Sequence, residues 1–221
     1  MSAFQRVVGA VSAGSLIGGI SYFLFSKKYQ QNLDESPPTG DTVSLALNAA
    51  EKLISTARFA VFITIDQQGF PHARVIDPLP PCKKFDEIWI GTNRYTRKVS
   101  HLLGNPRSSL IYFDSSSLGF AYISGLGSLV DDPQVKADKF ASGWWLFYPE
   151  GPSGPRFLLI RFVPTRIEII SPLHKLASGL NSWRPIILLR ESSSNSGWGV
   201  EPAPTESFLS KLRNGLDEDG K

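Results

Sequence analysis

The sequence predicts a mainly β protein: a closed or partly closed antiparallel barrel with two or three inserted helices. Two observations lead there. Short apolar, aromatic and β-branched runs recur along the chain, separated by turn-forming residues. Between them stand a few segments of helical periodicity, an arrangement that suits a small barrel. A third observation fixes the class. Of 221 residues, 42% are hydrophobic and 19% charged, ordinary globular usage that excludes bulk disorder and collagen-like repeats.

Asp41 is placed to cap a helix running to about Ala57, with Leu45, Ala46, Ala49 and Leu53 as its apolar stripe. The run Phe59 to Ile65 reads as a strand, Gln67-Gln68-Gly69 as its turn, and Ala73 to Asp77 as the returning strand of a hairpin. Asp86 to Thr92 is a third strand, with Ile88 and Ile90 on one face and Trp89 on the other. A short helix from Thr96 to Leu103 is stopped by Gly104 and Pro106. Ser109 to Asp114 and Phe120 to Val130 read as two further strands, and Arg156 to Ile170, broken near Pro164, as the last pair. Glu191 to Thr205 reads as a mobile loop, followed by a short amphipathic stretch and a solvated tail.

The first 33 residues have a different character. No charge falls between Val7 and Phe25, and nineteen residues at about 1.5 Å each span roughly the hydrocarbon thickness of a bilayer. Arg6 precedes the run, Lys27 and Lys28 follow it, and Tyr22 and Phe23 sit near one end. The expectation is a single membrane anchor over residues 7–25, with an organelle-targeting segment, for instance mitochondrial, as the alternative. The polar, proline-containing stretch 34–40 is a linker. The predicted organisation is then 1–33 anchor or targeting segment, 34–40 linker, 41–170 barrel domain, and 171–221 C-terminal extension, partly disordered.

Composition also narrows the chemistry. The lone Cys82 excludes a disulfide framework and thiolate-rich metal sites, and His72, His101 and His174 lack ligand-pair spacing. A net charge of +3 gives no sign of general nucleic-acid affinity. Difficult chemistry must therefore come from an organic cofactor. The segment Thr92-Asn93-Arg94-Tyr95-Thr96-Arg97-Lys98 leads straight into a helix and has the makings of an anion cradle. Thr96 can cap, the helix start favours negative charge, Arg97 offers a planar fork and Lys98 a point charge. Cations at a helix N-terminus oppose its dipole, so a bound anion explains them better than solvation does.

This segment resembles the T-N-x-x-S-R-K stretch of the pyridoxamine 5'-phosphate oxidase-like FMN-binding split barrels, with Thr96 in place of the serine. Other motifs agree in order. His72-Ala73-Arg74-Val75-Ile76 matches the hairpin arginine of that family. Ala57-Arg58-Phe59-Ala60, Ile123-Ser124-Gly125 before Asp131-Asp132, and Trp144-Trp145-x-Phe147-Tyr148-Pro149 look most like its general-stress-protein branch. The resemblance covers residues 41 to 170. It implies a six-stranded antiparallel split β-barrel, bound FMN, and a homodimer with flavin at the interface. Arg97 and Lys98 would then bind the flavin phosphate, with Thr92, Asn93 and Thr96 around it, while Ala73, Arg74 and Val75 line the ring system. Trp144 or Trp145 reaches the partner's ring or packs the barrel end.

The resemblance also has a gap. True pyridoxamine-phosphate oxidases carry a lysine shortly after the hairpin arginine, where this chain has Asp77-Pro78-Leu79-Pro80. Oxidation of a vitamin B6 substrate is therefore not implied. His72 and His101 are candidate neighbours of the cofactor or plain surface residues, and Cys82 has nothing nearby to activate it. Two functions stay open: an FMN-dependent oxidoreductase of unknown substrate, and a non-catalytic flavin-binding or interaction module.

Overall fold

The structure, a computed structural model, describes residues 41–172, 176, 185–192, 194 and 196–202. Helix α1 (Thr42–Ala57) begins at Asp41, whose carboxylate accepts the backbone N–H groups of Val43 and Ser44. It buries Ala46, Leu47, Ala49, Ala50, Leu53 and Ile54. Leu45, expected on the stripe, lies at its exposed edge because the apolar face is centred on Ala46 and Ala50.

The strands follow as β1 (Ala60–Ile65), β2 (Pro71–Ile76), β3 (Ile88–Asn93), β4 (Arg107–Asp114), β5 (Gly119–Val130), β6 (Phe157–Ile170), β7 (Ile186–Arg190) and β8 (Trp198–Val200). Helix α2 (Arg97–Gly104) separates β3 from β4, and α3 (Pro133–Lys139) follows β5. All pairings are antiparallel, in the order β2-β1-β4-β5-β6-β7-β8, with β3 on the first half of β6. Among the described residues β2 and β3 are each bonded along one edge only, so the barrel is open between them. Phe62 of β1 and Phe162 of β6 meet edge to face across the interior, with ring centres 6.4 Å apart. Ile88, Ile90, Leu110, Tyr112, Ile123 and Ile160 fill the space around them.

Several expectations need correction. Six of the strands, β1–β6, fall within residues 41–170, and the C-terminal extension adds β7 and β8 to the same sheet. The segment 191–205, expected to be a loop, contains β8, and Trp198 is buried there. Its Nε1 donates to the Lys84 carbonyl at 2.7 Å, and the Arg190 guanidinium lies 4.1 Å from its ring centre. Pro164 does not break the strand. β6 continues past it, and the pairing steps from Ser124–Arg166 to Gly125–Pro164, so the one extra residue of the irregularity is Thr165 of β6, directly after Pro164. Gly125 faces Pro164 there, and a Cβ at that position would collide with the Val163 carbonyl.

The expected membrane localisation is also corrected. No helix among the described residues is long and apolar enough to cross a membrane. The longest, α1, has 16 residues and carries Glu51 and Lys52 on its exposed side. The N-terminal hydrophobic helix expected over residues 7–25 lies outside the described residues. Neither a membrane nor an organelle address enters the functional reading below.

Candidate anion and cofactor site

Asn93 builds the turn between β3 and α2. Its side-chain oxygen accepts the Tyr95 N–H at 2.9 Å, and its carbonyl accepts the Thr96 N–H at 3.1 Å and the Thr96 hydroxyl at 2.8 Å. Thr96 therefore does not cap α2 through its side chain, contrary to expectation, and its hydroxyl faces back into the turn. The Thr92 hydroxyl, buried, lies 3.3 Å from it, and Lys98 Nζ donates to the same Thr96 oxygen at 3.3 Å. The first amides of α2 are left without a side-chain acceptor, next to Arg97 and Lys98.

Three cations crowd this turn, and the fold sorts them. Arg94 Nη2 reaches both carboxylate oxygens of Asp131, at 2.9 and 2.8 Å. The same carboxylate takes the buried Lys136 at 2.9 Å, and the Lys136 and Arg94 hydrogen bonds hold its pKa below the usual range. Arg94 is thus fastened to the barrel. Arg97, exposed, and Lys98, half-buried, have no carboxylate partner among the described residues.

Arg74 joins them from β2. Its Nη1 donates to the Phe62 carbonyl at 3.1 Å and to Thr64 Oγ1 at 2.7 Å. Strand alternation turns Arg74 and His72 to the inner face, and Ala73 and Val75 to the outer one. Burial lowers the Arg74 pKa, and Arg97 adds repulsion; burial lowers that of Lys98, and Arg74 adds to it. Arg97 acts on Arg74 and Arg74 on Lys98, so the three cations share one field.

Two histidines close the cluster. His101 is buried, with Nδ1 2.9 Å from Thr64 Oγ1, and its ring centre is 4.9 Å from that of His72. His72 Nε2 donates to Asp66 at 2.7 Å, and Asp66 also accepts the Gln68 and Phe70 amides that shape the β1–β2 turn. Burial lowers the His101 pKa, followed by the charges of His72 and Arg74. His101 is thus held neutral. Thr64 Oγ1 stands between the Arg74 guanidinium and His101 Nδ1.

Sequence reasoning placed Arg74 with Thr92, Asn93, Thr96, Arg97 and Lys98, and the structure brings these residues near one another, with Ala73 and Val75 on the outer face of β2. It did not find Thr64, Asp66 or Asp131, whose partners lie on other elements. The Asp131-Asp132 pair was the one visible signal, and Asp132 proves to be the α3 cap. Trp144 is buried against Phe157 and Gly91, packing the barrel end, while Trp145 is exposed. A cavity of about 1000 Å³ lies elsewhere, beside α1, and none of Arg74, Arg97, Lys98 or His101 lines it.

The sequence matches the family described as pyridoxamine 5'-phosphate oxidase over residues 46–171, more than half of the chain. A search of curated protein sequences gives no match. Among solved structures, a Clostridium acetobutylicum protein related to general stress protein 26 of Bacillus subtilis superposes with a TM-score of 0.56 at 18% identity. That similarity covers 65% of this chain and 93% of the other. A Nostoc punctiforme protein, described as pyridoxamine 5'-phosphate oxidase-related and FMN binding, gives 0.54 at 14% identity, covering 77% and 100%. Burkholderia lata PhzG in complex with tetrahydrophenazine-1-carboxylic acid gives 0.50 at 15% identity, covering 77% and 95%. At these identities the likeness is one of fold.

The neutral His101 makes stability depend on pH with a definite sign. Its folded pKa is depressed below the unfolded value near 6.5, so the unfolded chain binds more protons as pH falls. This contribution is fully present above about pH 6.5 and declines as pH drops toward the folded pKa. Urea unfolding at pH 7.5, 6.5 and 5.5 should show progressive loss of stability, and His101→Asn should flatten the dependence. A parallel pH dependence in the variant would remove His101 as its source.

Proposed function

Because the chain belongs to the pyridoxamine 5'-phosphate oxidase family, we propose that it binds FMN and acts as an FMN-dependent oxidoreductase. The observation that carries this reading is the cluster of Arg74, Arg97 and Lys98, uncompensated by any carboxylate among the described residues and set beside the start of α2, which no side chain caps. A phosphate monoester dianion fits that field. The fold shared with the Nostoc protein described as FMN binding supports the same cofactor. In this reading Arg97 and Lys98 bind the flavin phosphate, Thr92 and Thr96 supply hydroxyls, and Asn93 holds the turn in shape. Ala73, Arg74 and Val75 lie along the ring system, Arg74 by its charge and its neighbours by the edge backbone of β2. Bound flavin supplies hydride or electron transfer, and the protein's part is to hold and tune it.

The outer face of β2, β1, β4 and β5 carries Val61, Ile63, Val75, Ile111, Phe113 and Leu126. Val75 is 69% and Phe113 57% exposed, an apolar surface that we assign to a second copy of the chain. Val75→Asp combined with Phe113→Asp should sediment as a monomer where the wild type sediments as a dimer. A monomeric wild type would remove the assignment.

Titration with FMN, followed by flavin fluorescence, tests the cofactor. Arg97→Ala with Lys98→Ala removes two charge-assisted contacts of roughly 1.5–3 kcal/mol each, so affinity should fall at least about 100-fold. Unchanged affinity would place the phosphate elsewhere.

Arg74→Met keeps the bulk and removes the charge. The midpoint potential of the bound flavin should fall by about 30 mV or more, equivalent to roughly 1.4 kcal/mol for a two-electron couple. An unchanged potential would take Arg74 away from the ring. In the same apparatus, wild-type flavin that NADH and NADPH both fail to reduce favours the non-catalytic module.

A further inference from the structure

The cavity of about 1000 Å³ is built at the opposite end of the barrel from the cation cluster. Leu53 and Ile54 of α1, Leu79 after β2, Tyr112 of β4 and Trp144 form its apolar walls. The register places Tyr112 one residue beyond the Val61–Ile111 pair, whereas Thr64 pairs with Ser108. At about 3.3 Å per residue the two levels are roughly 13 Å apart along the strands.

Tyr112 is fully buried, and its hydroxyl has no hydrogen-bond partner among the described residues. Buried polar groups in folded proteins are nearly always paired, so an unpaired one that lines a cavity marks a place for an acceptor. Burial, and then the negative Asp77, push the Tyr112 pKa upward, so the group stays an O–H donor. The charged lining residues are Glu51, Lys52, Arg58, Asp77 and Asp114, and all but the partly buried Asp114 are exposed. Arg58 pairs with Asp77 at 3.3 Å, and Asp114 accepts the hydroxyls of Ser116 and Ser117 at 2.7 and 2.6 Å. The two lining cations, Lys52 and Arg58, are exposed and screened by solvent, so neither holds an anion in the interior. Apolar walls and one deep donor select instead for a neutral ring that bears an acceptor.

We propose that this cavity is a second binding site, which takes a small neutral ring compound whose carbonyl oxygen accepts the Tyr112 hydroxyl proton. The site stands apart from the flavin reading, since neither Arg97 nor Lys98 lines it.

The test uses the full chain without added flavin and three probes: acetophenone, ethylbenzene and benzoate. Binding is followed by ligand-observed saturation-transfer NMR and competition titration. Acetophenone should bind about tenfold more tightly than ethylbenzene, which has the ring but lacks the acceptor, and benzoate should not compete. Tyr112→Phe should reduce acetophenone affinity about tenfold and leave ethylbenzene unchanged. Leu79→Trp, which fills the cavity from a partly exposed loop, should abolish acetophenone binding with an unaltered circular dichroism spectrum. This arm decides the matter if Tyr112→Phe fails to fold. Arg97→Ala with Lys98→Ala should bind acetophenone as wild type does, so a failed flavin reading leaves this result intact. Wild type that does not bind acetophenone overturns the proposal. So does equal acetophenone affinity in wild type and Tyr112→Phe, the result expected if solvent alone satisfies the hydroxyl.

Discussion

Positive charge held without a counter-charge is the constraint around which the rest of the structure is arranged. Arg74, Arg97 and Lys98 repel one another, and burial makes the repulsion worse for Arg74 and Lys98. Such an arrangement persists only where the backbone leaves the side chains no escape. Arg74 is tied to the Phe62 carbonyl and the Thr64 hydroxyl, and Lys98 to the Thr96 hydroxyl, itself fixed by the Asn93 turn. These are neutral acceptors. They orient the cations without neutralising them, which leaves the charge for an incoming anion.

Asp131 shows the same logic from the other side. It is the carboxylate nearest the turn in this network, and it is spent on Arg94 and on buried Lys136. Removing Lys136 from water is costly unless it is paired, so Asp131 has a structural claim on it. Arg94 shares that carboxylate and in doing so pins the turn to the start of α3. Of the cations between Thr92 and Lys98, Arg94 anchors, and Arg97 and Lys98 have no carboxylate partner among the described residues. Neutral His101 completes the division, since a charge there would add to the repulsion without reaching the turn.

How much of this was legible in the sequence follows from where each partner lies. The cradle could be read because Thr92 to Lys98 are contiguous, and the early strands because their apolar runs are long. The stabilising partners could not. Thr64 and His101 are 37 residues apart, as are Arg94 and Asp131. β8 was missed for a related reason. Its surroundings are rich in Ser, Gly and Pro and read locally as loop, while what orders Trp198 is the Lys84 carbonyl, 114 residues away, and the stacked Arg190. Pro164 misled in the opposite direction. Its missing N–H suggested a break, but β6 continues and takes up the disturbance as one unpaired residue, Thr165.

A single strand explains how one small barrel keeps two chemically different ends. The inner face of β1 presents Ala60, Phe62 and Thr64 in turn. Thr64 is small and polar, so it admits the Arg74 guanidinium and relays a hydrogen bond to His101. Ala60 is small and apolar and lies at the level of the unpaired Tyr112 hydroxyl. Between them Phe62, fully buried, meets Phe162 edge to face and fills the interior. That aromatic contact separates the charged end from the apolar cavity by close-packed hydrocarbon. Arg97 therefore acts on Arg74, and Arg74 on Lys98, at one end, while the Tyr112 pKa is governed by burial and Asp77. Period-two alternation, with a large residue between two small ones, is enough to set that partition.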